Sequence, residues 1–137
     1  MNKEEKRLLN EEKKEVKENK AVLKDKYNKK TLEIFALTSS NGFVKDGHNY
    51  SLELIAWSDT DGLITIEKRT LEQTMTEKDF SELNREITGN QIVKLKVQGS
   101  LDAISPKSFL LVKILETNAK HVGLQGIRDN NLEFQNS

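Results

Sequence analysis

The stretch TLEIFALTSSNGFVKDGHNYSLELIAWSDTDGLITIEKR, residues 31–69, decides the fold. Its apolar residues recur at every second position, the period of a strand with one face buried. Thr31–Leu37 reads as a first strand, and Ser39-Ser40-Asn41-Gly42 is a turn or bulge signal before Phe43-Val44-Lys45. Asp46-Gly47 predicts a tight hairpin turn. Tyr50–Trp57 alternates, with Tyr50, Leu52, Leu54 and Ala56 on one face and Ser51, Glu53, Ile55 and Trp57 on the other. Ser58–Gly62 is a second turn, and Leu63–Arg69 is a third strand with Ile64 and Ile66 on one face.

Toward the C-terminus the period changes to that of a helix. Thr76 is an N-cap candidate, with Asp79 in the place of the usual capping-box Glu or Gln. Phe80, Leu83 and Ile87 line one face, and Gly89 is placed to end the helix as a left-handed cap. Ile92–Gln98 then alternates Val93, Leu95 and Val97 with Lys94, Lys96 and Gln98. Gly99–Lys107 is a loop holding the one proline, Pro106, and Ser108–Leu115 is apolar on both faces, as in a central strand. The tail from Thr117 is rich in Asn and Gly. Gly123–Ile127 and Leu132–Phe134 are expected to add a short edge strand.

Toward the N-terminus the composition changes near residue 30. Residues 1–30 hold 11 Lys and Arg against 7 Asp and Glu, a surplus of +4. Residues 31–137 hold 11 against 15, a balance of −4, so the neutral total is a basic arm cancelling an acidic body. The arm lacks Gly and Pro, and opposite charges three or four apart, such as Arg7/Glu11 and Lys14/Glu18, support a helix. Leu9, Val16 and Leu23 are spaced by seven, but Glu12, Asn19 and Lys26 take the intervening positions, so this is half a coiled-coil seam. Leu9, Val16, Leu23 and Tyr27 are therefore the expected partner-binding stripe, on the body of this chain or on another protein. Three regions result: a charged helix over 1–30, a β-rich domain over 31–117 and a tail over 118–137.

The order of three antiparallel strands, one helix and two more strands resembles the OB-fold, a five-stranded Greek-key barrel. The resemblance covers roughly residues 31–117 and rests on element order alone. The fold class expected is thus α+β: a small antiparallel five-stranded OB-like barrel, or a curled sheet. One helix would lie between strands three and four, and the charged helix would precede them. The resemblance implies single-strand nucleic-acid binding on strands two and three, by a basic groove with aromatic stacking platforms. The outward set there is Ser51, Glu53, Ile55, Trp57, Thr65 and Glu67. It holds one stacking ring, Trp57, and two carboxylates that repel phosphate. Lys68 and Arg69 end the third strand, and Lys24, Lys26, Lys29 and Lys30 form the one compact basic cluster. These residues are the candidates for nucleic-acid contact.

Other chemistry finds little support. The chain has no Cys, which excludes disulfides and thiol catalysis. Asp59-Thr60-Asp61-Gly62 looks like part of a calcium loop, but the pattern would put Trp57 and Lys68 at ligand positions. His48 and His121 are far apart and lack zinc-ligand spacing. There is no nucleophile elbow, no Walker loop, and the Gly-Leu-Gln-Gly at 123–126 lacks the flanking context of a nucleotide site. No apolar run approaches the length of a membrane span, and no signal-peptide core leads the chain. The expectation is a cytoplasmic, non-catalytic binding protein without metal or cofactor, with a protein partner or self-association through the N-terminal helix. The alternatives are a single-strand nucleic-acid module and a small ligand-binding barrel or enzyme.

Overall fold

A computed structural model describes residues 2–27, 30–59, 62–99 and 107–136. The fold is α+β, with the elements α1 (Lys3–Asp25), β1 (Thr31–Asp46), β2 (Asn49–Ser58), β3 (Ile64–Thr65), β4 (Arg69–Thr74), α2 (Glu77–Glu86), β5 (Ile92–Gln98), β6 (Ser108–Glu116) and α3 (Val122–Asn136). All six strands join one mixed sheet in the order β1-β5-β6-β4-β2-β3, and β1 also pairs with β2. The pairings are antiparallel except between β4 and β6. The sheet is not a clean barrel, and six strands stand where five were expected.

The hairpin of β1 and β2 turns at Gly47, whose φ of 63° suits glycine. The bulge signal at Ser39–Gly42 is a register slip, because Thr38 faces Leu54 while Phe43 faces Leu52. A second slip reverses part of the predicted alternation. Leu37 faces Ala56 and Thr38 faces Leu54, so Ile55 is an extra residue on β2. Before it, Leu52 and Leu54 join the main core with Ile34, Leu71, Val93, Leu95 and Phe109. After it, Trp57 turns into that core, while Ala56 turns to the outer side of the sheet. There it meets Leu37, Ile92, Ala119 and Leu124 in a second cluster.

The same bend explains why the predicted third strand Leu63–Arg69 is broken. β3 pairs with the end of β2, at Trp57 and Ser58, and β4 pairs with its first half, Asn49–Leu54. Residues 66–68 lie opposite the bulge and belong to neither strand. The sequence of β4, RTLEQT, is too polar to announce itself, with Leu71 its one aliphatic residue. As a result α2 lies between the fourth and fifth strands.

α2 begins as expected: the backbone N–H of Asp79 donates to the Thr76 hydroxyl at 3.2 Å. Phe80 stacks on Tyr50 at 3.9 Å, and Leu83 and Ile87 pack on the main core. Gly89 does not supply the left-handed residue; Asn90 does, at φ 54°. Gly89 is there for closeness, since a Cβ would lie 2.8 Å from the Ser40 Cα in the bulge of β1. Thr38 ties the same two segments together. It exchanges backbone bonds with Asn90 and Gln91, and its hydroxyl donates to the Thr88 carbonyl at 2.8 Å.

β6 differs from a central strand in its second half. Ser108–Leu111 is buried, but Val112, Lys113, Leu115 and Glu116 are exposed. The tail forms α3 rather than an edge strand. His121 caps it, its Nδ1 accepting from the backbone N–H of Leu124 at 3.2 Å. Leu124 and Ala119 then seal the second cluster. Among the described residues no helix is long and apolar enough to cross a membrane.

Candidate functional site

α1 starts at Asn2, whose side chain accepts from the Glu5 N–H at 2.8 Å, and it lies along β4. Of the expected stripe, Val16 and Tyr27 are buried, and Leu9 and Leu23 are half-buried. The stripe therefore faces the body of its own chain. The large apolar residues that α1 leaves exposed are Leu8 and Val22.

Polar contacts hold both ends of this docking. At the C-terminal end, the Tyr27 hydroxyl donates to Glu72, and the Ser108 hydroxyl lies 2.5 Å from the same oxygen. A phenol has one proton to give, so Ser108 is the donor in the second contact. Burial, reinforced by the Glu72 carboxylate, pushes the Tyr27 hydroxyl well above the ordinary phenol range. Lys26 adds an ion pair to Glu72 at 3.3 Å. Farther along, His48 in the β1–β2 turn lies 3.9 Å from both Glu12 and Glu15. Beside it, Lys45 and Glu77 pair at 3.0 Å, which raises the lysine and lowers the carboxyl.

The residues proposed to touch nucleic acid do not share a surface. Trp57 is 3% exposed and meets Phe109 edge-on at 5.4 Å. Arg69 is buried with it, its guanidinium 4.8 Å from both ring centroids and its Nε 3.5 Å from Glu67. The fold thus unites Trp57 and Arg69, but inside the protein. Lys24, Lys26, Lys30 and Lys68 are exposed on three different segments, and Lys29 lies outside the described residues. Among the described residues no group of three or more His, Asp or Glu side chains could hold a metal.

Two features escaped the sequence reading. The first is an apolar end of the molecule. Leu63, Ile66 and Val122 are 69%, 75% and 91% exposed. Ile66 also lines an open groove of about 560 Å³ with Ile55, Ile127, Glu67, Lys68 and Asn130. The N-terminus of α3 closes on this region, because a Cβ at Gly123 would strike the Ile64 side chain. The second is a groove along β6, walled by α1 and α2. Of these residues, Ile55 is legible in the sequence as outward-facing on the second strand and Ile66 as an apolar residue of the third.

A family model matches residues 18–130 and is described as Domain of unknown function (DUF7021). The chain belongs to that family. The matched span begins within α1 and ends within α3, so it takes in the whole sheet, the last turns of α1 and the docked part of α3. Residues of DUF7021 thus include Tyr27, Trp57, Ile66 and Ile127, while Leu9 and Val16 precede the span. No curated protein and no solved structure gives a match.

Proposed function

We propose that this chain is a non-catalytic protein-binding module built on an OB-like barrel. The pairing circuit supports the barrel: β1 to β2, β2 to β4, β4 to β6 in parallel, β6 to β5, and β5 back to β1. β3 is then an extra strand, and α2 spans the gap before β5 as the helix of an OB-like fold does.

The exposed apolar end carries the functional reading. Ile55, Ile66 and Ile127 line a groove together with Glu67, Lys68 and Asn130, Leu63 and Val122 are exposed as well, and exposed apolar residues within a polar rim mark contact sites for proteins. A nucleic-acid reading draws less support. Its one stacking ring is buried, and α1 lies over the β4 face where a single strand would run. The test is a photo-crosslinking residue placed at Ile66, with one at the exposed Glu33 as control. A discrete protein adduct at Ile66 and none at Glu33 is expected. No adduct at Ile66, or equal labelling at both, overturns the reading.

A further inference from the structure

β6 has strands on both sides over its first residues only. β5 follows one edge from Leu110 to Glu116. On the other edge β4 pairs Thr70–Glu72 with Ser108–Leu110 and then departs toward α2. From Leu111 onward, among the described residues, that edge has no partner strand. A side chain fills the first open position, since Gln73 Nε2 donates to the Leu111 carbonyl at 2.6 Å. Natural proteins usually blunt such an edge with charge. Here Lys113 and Glu116 are exposed, but so are Val112 and Leu115, the extra residues at two register slips against β5, at 46% and 37%.

The open edge lies in a groove. Its two hollows, about 360 and 330 Å³, share Lys20, Gln73, Leu111 and Val112, so they are continuous. Lys24 of α1 stands at one end and Lys20 at the junction; at the other end Asp79 and Glu86 of α2 share the lining with Lys113 of β6. Gln98 lines the lysine end. It is 7% exposed, and its buried Oε1 has no donor among the described residues. Buried acceptors in folded proteins are nearly always paired, so this oxygen awaits one.

We propose that this groove receives an extended peptide segment of a partner protein, added as a strand to the open edge of β6. The inference rests on the protein-binding reading above but assigns a different surface. An unpaired strand edge offers backbone groups at a repeat of about 3.3 Å, which another backbone matches. The lysines specify an acidic residue at the Lys24 end, followed by alternating apolar residues along the open edge; the other end, where Asp79 and Glu86 are balanced by Lys113 and Lys20, sets no sign. A Ser, Thr, Asn or Gln near its acidic end supplies the donor for Gln98.

The test is selection of displayed random peptides of about twelve residues, twice the length of the open edge, on the immobilised full chain. Affinities of the enriched peptides are then measured by fluorescence anisotropy. Enrichment of sequences with an acidic end followed by alternating apolar residues is expected. Their affinity should fall about tenfold or more in Val112→Lys and in Lys20→Glu/Lys24→Glu, and hold in Ile66→Lys. Hydrogen exchange at residues 112–116 should slow on binding. No enrichment overturns the proposal. So does affinity lost in Ile66→Lys but kept in Val112→Lys, an outcome that leaves the protein-binding reading standing. A concentration-dependent dimer abolished by Val112→Lys would mean that β6 pairs with a second copy, and also overturns it. Failure of the broader reading is seen separately, in the crosslinking at Ile66.

Discussion

α1 and α3 both lie on the outside of one sheet, and opposite chemistry holds them there. α3 is seated by Leu124, fully buried against Leu37, Ala56 and Ile92. α1 is longer but buries only Val16 within its helical span. Leu9 and Leu23 are half-buried beside it, and the other contacts are polar: Tyr27 to Glu72 and Ser108, Lys26 to Glu72, and Glu12 and Glu15 beside His48. Apolar burial scales with area and is not screened by salt, whereas polar docking depends on protonation and screening. One helix therefore belongs to the core, and the other is attached in a way that solvent conditions can weaken.

The comparison breaks first at Leu124. Leu124→Ala should cost about 2–5 kcal/mol, the range for a large-to-small change in a packed site, read from urea unfolding. A loss no greater than that of a surface substitution would mean that α3 is not part of the core. Tyr27→Phe tests the other side. Removing one buried hydroxyl should cost about 1–2 kcal/mol, less than Leu124→Ala and with melting of the sheet still cooperative. The raised Tyr27 titration adds a pH signature. The folded chain holds the phenol proton, so this stabilisation is complete below the unfolded value of about 10. It is lost as pH rises from there through the folded value. Urea midpoints of the wild type should thus converge on those of Tyr27→Phe under alkaline conditions; parallel curves would remove Tyr27 from the docking. Lys45→Gln should have the smallest effect. Its pair with Glu77 is exposed, so any change in melting temperature should vanish at about 1 M salt.

The same contrast explains what was legible in the sequence. α1, the β1–β2 hairpin, α2 with its Thr76 cap and β5 follow from periodicity and local punctuation, and the structure has each of them. The Val16, Leu23 and Tyr27 stripe was also legible, but not its destination. α3 was hidden because Gly123 and Gly126 argue locally against a helix, and the contacts of Leu124 overrule them. β4 was hidden by its polarity. Trp57 faces the core although strict alternation points it outward, because a single extra residue, Ile55, shifts the alternation after it. The groove along β6 could not be read at all. It exists because β4 and β6 part company after Leu110, an event set by tertiary structure rather than by any residue pattern.

β1 has two partners, and they become available at different times. β2 follows after a two-residue turn, but Ile92–Gln98 of β5 lies about sixty residues beyond Thr31–Leu37. During synthesis the first four strands emerge with Ile34, Leu52, Leu54 and Leu71 lacking their covering strands. Until β5 and β6 leave the ribosome, α2 covers them only in part through Leu83 and Ile87, and the strands that close the sheet are missing. The nascent chain is therefore at its most vulnerable to misassociation late in translation, and assistance by a chaperone would matter most in that interval.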